Sequence, residues 1–395
     1  MTADAKEAAE TAARTSYGRL IAILSARNRD IAGAEDALSD ALLAALRLWP
    51  TEGVPANPEG WLLTAARNRI KNTARHAQIA DRALPDLIPL PPEEADLPDQ
   101  RLALLFVCAH PAIAPAARTP LMLQTVLGLD AARIAAAFLV PPATMSQRLV
   151  RAKTRIRDTG LRFALPERED LAPRLSAVLD AIYAAYGRGW DDLSANPDDL
   201  TTEAIYLARL LHALLPQEPE AAGLLALMLY TQARRPARRD AEGRFVPLSA
   251  QNSRLWSRDL IIEAEGLLTA AARYARFGRY QCEAAIQSVH IQRPITGQTN
   301  HAILLTLYDL LIQHSPGLGA QISRAVVLAE AGRPDAALKA LDDLPPDRIT
   351  HYQPYWAARA KVLDLVSRAA EARAARDTAV ALTDDPAIRA YLESL

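Results

Sequence analysis

Residues 129–157 constrain the fold most, because they contain two helical patterns separated by a pair of prolines. Asp130 can accept the free amide hydrogens at a helix N-terminus, and apolar residues follow at helical spacing up to Phe138. Pro141 and Pro142 end that helix, since proline lacks an amide hydrogen and restricts the residue before it. Pro142 also suits the first turn of a new helix. The stretch therefore predicts two helices joined by a tight turn, the arrangement of a helix-turn-helix motif.

The second helix of this pair carries a local excess of positive charge. Met145, Leu149 and Ile156 can face inward, whereas polar and cationic side chains cover the rest of its surface. Between positions 133 and 162 the only acidic residue is Asp158, in a chain whose formal net charge is -1. A cationic helix face is often merely solvated, but this asymmetry favours the alternative, a surface that binds phosphate.

Composition favours an all-α protein of more than one domain. The chain has 395 residues, of which 50% are hydrophobic and only 16 are glycine, which suits closely packed helices. The N-terminus has no secretory pattern and no apolar run is long enough to span a bilayer, so we expect a cytoplasmic protein without membrane association. Cys108 and Cys282 lie in apolar surroundings, which predicts buried free thiols.

Residues 16–49 contain two helical patterns separated near Asp30. The second carries Glu35, Asp36 and Asp40, which are too dispersed for a metal site and lack a histidine at ligand spacing. An exposed acidic face for a protein partner is therefore favoured over catalysis. The apolar positions expected in the core are Ile21, Leu24, Leu38, Leu42 and Leu46.

The run WLLTAARNRIKNTARHA, residues 61–77, predicts a second basic helix. Such cations are usually solvated, but an aromatic residue and several basic groups on one helix also suit a protein that neutralises phosphates and stacks on opened DNA. Its inward stripe is predicted as Trp61, Leu62, Ala65 and Ile70. Residues 80–100 follow with several prolines and a net acidic balance, which predicts an extended linker.

Amphipathic helices dominate beyond residue 165, with a turn signal in DAEGRFVPL, residues 240–248, that predicts a tiny hairpin or ordered loop. The final part shows a repeat, in which small residues recur thirty-five positions apart. This spacing is close to the period of tetratricopeptide arrays, whose concave surfaces bind peptides or partner domains. The paired positions are Ala325 with Ala360 and Ala337 with Ala372, and the turn inside the first unit is predicted at Gly332-Arg333-Pro334.

The order of these parts, together with the phrases GAEDALSDALLAALRLWP, NPEGWLLTAARNRIKN and RIAAAFLVPPATMSQRLVRAKTRIR, resembles the sigma-70 family of transcription initiation factors. The resemblance is to the extracytoplasmic-function (ECF) type with a long tetratricopeptide-like C-terminal extension, which relatives need for activity. It implies an all-α chain with a region 2 domain at 1–79, a linker at 80–100 and a region 4 domain at 101–165. The helical extension would span 166–395, with the tetratricopeptide-like part at 320–395.

The resemblance also implies roles for particular residues. Contacts with core RNA polymerase are expected from Glu35, Asp36, Asp40 and Leu43. Contacts with the -10 promoter box are expected from Trp61, Arg67, Asn68, Arg69, Lys71 and Arg75. Contacts with the -35 box are expected from Pro142, Ala143, Thr144, Gln147, Arg148, Arg151, Lys153 and Arg155. The chemistry agrees, because acidic groups suit a basic protein surface, while arginines and the first turn of a recognition helix suit phosphates and base edges.

The leading functional prediction is a promoter-specificity subunit that binds core RNA polymerase and promoter DNA and is regulated in cis by its C-terminal helices. A protein or peptide partner is expected on the C-terminal array. The alternative is a helix-turn-helix regulator or helical scaffold that does not engage polymerase. An enzyme is disfavoured, because the histidines are scattered and the sequence has no glycine-rich phosphate loop or recognisable nucleophile. Hence no catalytic residue, metal or cofactor is predicted.

Overall fold

The computed structural model describes residues 2–78, 99–138, 140–191 and 198–395, and throughout these ranges the regular structure is helical. The extended structure within them is a single antiparallel bridge between Arg239 and Phe245. The predicted all-α class is therefore confirmed. The backbone divides into two compact units, Met1–Leu210 and Leu211–Leu395.

The first unit contains the helices that carry the predicted binding residues. The α1, α2 and α3 helices pack on one another, and α1 also contacts α4, while α7 contacts α2, α5 and α6. Most of the predicted linker lies outside the described residues. The helices are α1 (Thr2–Asn28), α2 (Ile31–Glu52), α3 (Pro58–Gln78), α4 (Arg101–Cys108), α5 (Pro115–Thr125), α6 (Ala131–Ala137), α7 (Pro142–Thr159), α8 (Arg168–Asp191) and α9 (Asp198–Leu214), whose end passes into the second unit.

The α2 helix turns mostly small residues toward the core. Among the predicted core positions, Ile21, Leu24 and Leu38 are at most 2% exposed, which confirms them, and Leu42 is half-buried. The prediction for Leu46 is wrong, since its side chain is 43% exposed. At about 100° per residue, Leu46 lies about 80° around the helix from Leu38. The inward stripe consists of Ile31, Ala34, Ala37, Leu38, Ala41, Ala45 and Trp49.

The α3 helix begins at Pro58, three residues before Trp61, the aromatic residue from which the sequence pattern predicts it. The Asn57 side chain accepts a hydrogen bond from the Gly60 amide at 2.9 Å, which satisfies one free donor of the first turn. Trp61 packs edge-on against Trp49 with ring centroids 5.5 Å apart, so it joins α3 to α2. Leu62 is buried as predicted, together with Leu63 and Ala66, whereas Trp61, Ala65 and Ile70 are half-buried.

The two helices predicted within residues 129–157 are both present. The Asp130 carboxylate accepts the Arg133 amide hydrogen at 2.8 Å and caps α6, as its position in the sequence predicts. Pro142 is the first residue of α7, where its missing amide hydrogen costs no helical hydrogen bond. Gly160 ends α7 in the left-handed conformation, with φ 61°. The buried residues of α7 are the three predicted ones and one alanine, namely Met145, Leu149, Ala152 and Ile156.

All eight residues of α4 are buried, including the guanidinium-bearing Arg101. Arg101 is paired with Asp99 and with Glu203 of α9, and its guanidinium carbon lies 4.9 Å from the centre of the Tyr206 ring. A buried cation requires such partners because leaving it unpaired is costly. The α8 helix packs on both α4 and α5. Helices beyond residue 165 therefore complete the core that α4 and α5 begin.

The second unit is built around α10, of which twelve residues are buried between α11 and α12. Residues 239–245 form the predicted ordered loop, with Gly243 at φ 79° and a single bridge at its base. Arg239 of this loop pairs with Asp385 at 2.6 Å. The helices are α10 (Pro219–Ala233), α11 (Arg258–Ala272), α12 (Arg279–Thr296), α13 (His301–His314), α14 (Leu318–Glu330), α15 (Pro334–Asp342), α16 (Pro346–Ile349), α17 (Gln353–Leu365), α18 (Ala369–Ala381) and α19 (Pro386–Glu393).

The repeat found in the sequence corresponds to two helical hairpins, α14 with α15 and α17 with α18. The four alanines of the repeat are buried where their helices pack. Both hairpins close with the same backbone pattern: the amide of Arg333 bonds to the Leu328 carbonyl at 3.0 Å, and that of Arg368 bonds to the Leu363 carbonyl at 2.9 Å. The residue before each of these amides is left-handed, with φ 77° at Gly332 and 61° at Ser367. The thirty-five-residue repeat therefore extends to the turns.

Because the turns at Gly332 and Ser367 have the same backbone conformation, we predict that Ser367→Gly stabilises the second hairpin by about 0.5–1 kcal/mol. A left-handed conformation is unfavourable for a residue with a Cβ atom. Hydrogen exchange at the α17 and α18 amides should become slower. The matched control is Gly332→Ser in the first hairpin, which should accelerate exchange in α14 and α15. Equal exchange in the parent chain and the Ser367→Gly variant would contradict the equivalence of the two turns.

Candidate functional site

One face of α7 presents most of the residues predicted to contact the -35 box. At about 100° per residue, Thr144, Gln147 and Arg151 lie within about 30° of a common line along the helix, and Arg155 and Arg148 lie about 50° and about 70° to one side of it. Gln147, Arg151 and Arg155 are exposed, whereas Thr144 and Arg148 are half-buried. Pro142 and Ala143 are exposed at the N-terminal end of the same helix. The face is thus cationic and accessible, as binding to phosphates and base edges would require.

Lys153 lies on the opposite side of α7, about 200° around the helix from Arg151. Its ammonium group donates hydrogen bonds to both carboxylate oxygens of Glu35, at 2.8 and 2.6 Å. The two side chains are only 11% and 19% exposed. A residue predicted to bind DNA and a residue predicted to bind polymerase are therefore bonded to each other. Neither can serve its predicted contact until this pair is broken.

Glycine residues bring α1 close to the end of α5 beside this ion pair. A Cβ atom added at Gly18 would overlap the backbone carbonyl of Val126. At Gly128, where φ is 67°, a Cβ atom would lie 3.2 Å from the Tyr17 ring. Burial, followed by the charge and hydrogen bond of Glu35, raises the pKa of the Tyr17 hydroxyl. We call the set Tyr17, Gly18, Glu35, Val126, Gly128 and Lys153 the closed interface.

The α3 helix presents a second cationic surface. Arg69 and Lys71 are exposed, while Arg67 and Asn68 are half-buried, and the side chain of Arg75 lies outside the described residues. Arg67 and Lys71 line a small depression together with Arg27 and Asn28 from the end of α1. Three cations from two helices therefore converge, which suits a phosphate group.

The acidic side of α2 is accessible, with Asp36, Asp40 and Leu43 exposed. Asp40 pairs with Arg69 of α3 at 2.7 Å, and both side chains are about half exposed. An exposed pair of this kind contributes at most about 1 kcal/mol, whereas removing one partner of a buried pair costs roughly 3–5 kcal/mol. The side chains of Glu35 and Lys153 are closer to full burial, so removing one of them should cost more stability than removing Asp40 or Arg69.

Sequence reasoning missed the residues that bring these surfaces together. Tyr17, Gly18 and Gly128 were not singled out, and neither was Arg27 in the basic depression. A glycine inside an otherwise strong helical pattern, as at Gly18, is a usable signal because it costs helix stability unless a neighbour approaches closely. No comparable signal in the sequence pairs Glu35 with Lys153, which are separated by 118 positions.

Both cysteines are buried and free, as predicted. Cys108 adjoins the closed interface, and burial raises the pKa of its thiol to about 12. Burial likewise raises the pKa of the Cys282 thiol to about 12. Within the described residues, no group of three or more His, Cys, Asp or Glu side chains is placed to hold a metal ion. No helix in the described part of the chain is long and apolar enough to cross a membrane.

Sequence comparison connects the first unit to a known family. The sequence model described as "Sigma-70 region 2" matches residues 13–79, a span that covers part of α1 together with α2 and α3. Residues 13–79 therefore carry a sigma-70 region 2. A second model, described as "Family of unknown function (DUF6596)", matches residues 174–272, from within α8 to the end of α11. The sigma-70 region 2 match supports a role in transcription initiation.

One relative matches nearly the whole chain. "Uncharacterized protein R00370" from Rhizobium meliloti (strain 1021) is 38% identical over 381 residues, which amount to 93% of this chain and 89% of that protein. The two proteins therefore belong to one family that includes the helices beyond the sigma-70 match. No solved structure matches the chain.

The exposed face of α7 predicts that Arg148→Ala with Arg151→Ala weakens promoter binding. Removing one arginine–phosphate bond should make the slope of log affinity against log salt shallower by about 0.9, so the double variant should become shallower by up to about 2. A footprinting titration across salt concentrations measures both the affinity and the slope. The control is Arg373→Ala, which removes an exposed cation on α18. Unchanged affinity and slope in the double variant would remove α7 as a DNA-binding helix.

Proposed function

We propose that this chain is a sigma-70 family member, an ECF-type sigma factor that directs core RNA polymerase to promoters with -35 and -10 boxes. The observation that carries the proposal is the position of the cationic α7 face in the same compact unit as the helices matched by sigma-70 region 2. A protein that only bound DNA would need α7 but not the acidic and apolar surface of α2. The resemblance of the sequence to ECF factors supports the same assignment.

In this proposal the three surfaces have separate tasks. Asp36, Asp40 and Leu43 on α2 bind core polymerase, because acidic groups around an exposed leucine complement a basic surface with an apolar centre. The cations of α3 hold the phosphates of the -10 box, and Trp61 supplies an aromatic surface near opened bases. The exposed side chains of α7 read the -35 box.

The remaining helices regulate this activity in cis. A covalently attached partner acts at high effective concentration, so even a weak contact can stabilise one arrangement of the DNA-binding helices. The hairpins α14–α15 and α17–α18 form a tetratricopeptide-like array in this proposal, and its concave side binds a protein or peptide partner. The protein acts in the cytoplasm, where polymerase and promoter DNA are found, and uses no cofactor.

Transcription with purified core polymerase tests the proposal directly. Core polymerase with the chain should select DNA carrying two boxes from a randomised library and should start transcripts downstream of them. Core polymerase alone provides the baseline. DNA binding without polymerase-dependent transcripts would favour the alternative, a helix-turn-helix regulator or scaffold.

The α2 surface predicts that Asp36→Arg with Asp40→Arg reduces retention on core polymerase at least about tenfold, because charge reversal places like charges across the interface. Both side chains are exposed, so the fold should be destabilised by no more than about 1 kcal/mol. A pull-down with core polymerase measures retention, and circular dichroism checks the fold. Asp377→Arg, on the exposed side of α18, is the matched control. Equal retention of the α2 variant would reject α2 as the polymerase contact.

The packing of α8 determines how the C-terminal region should be removed. Truncation after Pro166 deletes α8 and uncovers the apolar surface of α4 and α5, so we expect an unstable product. Truncation after Pro216 retains α1 through α9 and deletes the second unit from α10 onward. This shorter chain should give less transcription than the intact chain at matched soluble concentration. Equal output from the two chains in reconstituted transcription would show that the deleted helices do not regulate initiation.

A further inference from the structure

The α11 helix of the second unit leaves one of its sides uncovered. Its buried residues are Ala264 and Ala271, on the side where α10 packs. Ile262 lies about 160–180° around the helix from these alanines and is 59% exposed. The side that faces away from α10 therefore carries a large apolar residue that contributes little to the core of the unit.

The uncovered side forms a stripe with a glycine at its centre. At about 100° per residue, its members lie within about 40° of a common line, and all of them are exposed. Glycine is disfavoured in a helix interior relative to alanine, yet a Cβ atom at Gly266 would meet no neighbouring atom within 4 Å. The fold of a single chain gives no reason for this glycine, whereas the close approach of a second backbone would give one. The stripe consists of Asp259, Ile262, Gly266, Ala270 and Arg273.

The order of residues along this stripe is complementary to its own reverse. Asp259 and Arg273 are each seven positions from Gly266, on opposite sides of it. Ile262 and Ala270 are each four positions from it. When two copies of α11 lie antiparallel with both glycines on a two-fold axis, each aspartate faces the other copy's arginine. Each isoleucine then faces the other copy's alanine, so every contact occurs twice.

We propose that this stripe of α11 is a homodimer interface, on which a second copy of the chain packs antiparallel about Gly266. The inference goes beyond the proposed function, because α11 lies in the second unit and contains none of the residues assigned to polymerase or to DNA.

Charge complementarity favours a second copy as the occupant. Asp259 lies in the first turn of α11 and Arg273 caps its C-terminal end. They are about 21 Å apart along one helix, at a rise of about 1.5 Å per residue, which is too far for them to pair within a chain. In the antiparallel pair they lie at the same level on facing helices. Opposite ends of the two helix dipoles also become neighbours there, which adds to the attraction.

The symmetry about Gly266 continues beyond both ends of the helix. Leu255 precedes α11 and is 50% exposed, and Phe277 follows it and is 37% exposed. Each is eleven positions from Gly266. In an antiparallel pair the start of one helix lies beside the end of the other, so Leu255 of one copy and Phe277 of the other come to the same end. The interface would thus have an apolar contact at each end and small residues at its centre.

Self-association of the intact chain is the first measurement. A single pair of helices is at the small end of specific interfaces, so we expect a dissociation constant of roughly 1–100 μM. In sedimentation equilibrium across this concentration range, the apparent mass should rise from 42.9 kDa toward twice that value.

Charge reversal tests the predicted ion pairs. Asp259→Arg should weaken self-association at least about tenfold, because arginines then face each other twice, and Arg273→Asp should do the same with aspartates. Each variant supplies the charge that the other lacks. A mixture of the two should therefore associate again, as should the chain that carries both substitutions. Asp377→Arg, on the exposed side of α18, is the matched control and should behave as the parent does.

Gly266→Arg tests the centre of the interface. Its side chain would stand on the two-fold axis and bring bulk and like charge between the helices, so self-association should fall at least about tenfold. Thermal unfolding at a concentration where the parent is monomeric should show no loss of stability, since a Cβ atom at this position meets no neighbour. Ala370→Arg, at an exposed position of α18, is the control.

Disulfide formation tests the antiparallel direction. A chain with Ile262→Cys, mixed with a chain with Ala270→Cys, should give a mixed disulfide dimer under mild oxidation. Neither chain alone should cross-link efficiently, because equal positions lie about 12 Å apart along the axis of an antiparallel pair. The native thiols are buried, with pKa values raised to about 12, and should not react.

Each of these results supports or overturns the homodimer interface. A chain that stays monomeric throughout the concentration range overturns it. A dimer that is unchanged by both Asp259→Arg and Gly266→Arg uses another surface, which overturns it equally. Cross-linking of Ile262→Cys to itself in preference to Ala270→Cys rejects the antiparallel arrangement. Because none of these measurements contains polymerase or DNA, their outcome is independent of the proposed function.

Discussion

The hydrogen-bonded pair of Glu35 and Lys153 is the interaction on which the arrangement of the first unit depends. A carboxylate that loses most of its water must receive donors from the protein, since an unpaired buried charge is strongly unfavourable. Here one donor comes from α7, and the Tyr17 hydroxyl of α1 lies beside the same carboxylate. In this buried position Glu35 of α2 has partners from α1 and α7, two helices from distant parts of the sequence. The pair joins α7 to a helix of sigma-70 region 2.

The packing around α4 ties this arrangement to residues outside the sigma-70 match. All of α4 is buried, and it contacts α1 on one side and α8 on another. Arg101, at the start of α4, has ion-pair partners in Asp99 and in Glu203 of α9. Because α8 and α9 contribute to the environment of α4, a change in these helices can alter the surface on which α1 rests. Contacts within one compact unit therefore connect α8 and α9 to α4 and, through α4, to α1.

Sequence reasoning succeeded where the determining interactions are local. The cap at Asp130, the proline start of α7 and the turn inside each repeat unit depend on residues within a few positions of one another. The assignment of Leu46 to the core failed because α2 buries a stripe of small residues that hydrophobic size alone does not reveal. The contact of Glu35 with Lys153 could not be predicted from the sequence. A charged residue in a helical pattern is normally assigned to the solvent-exposed face, and the pattern does not show whether a residue distant in the sequence packs against it.

At the closed interface, a cation of the basic α7 helix is paired with an acidic residue of α2. The Glu35 carboxylate offers the Lys153 ammonium two oxygen acceptors, as a DNA phosphate group would. Binding of Lys153 to Glu35 and binding of Lys153 to a phosphate are therefore alternatives. Salt acts differently on the two alternatives. Binding to DNA weakens steeply as salt rises, because counterions must be released, whereas a pair that is only 11% and 19% exposed is screened much less. Higher ionic strength therefore favours the pair of Glu35 and Lys153 over a contact of Lys153 with DNA.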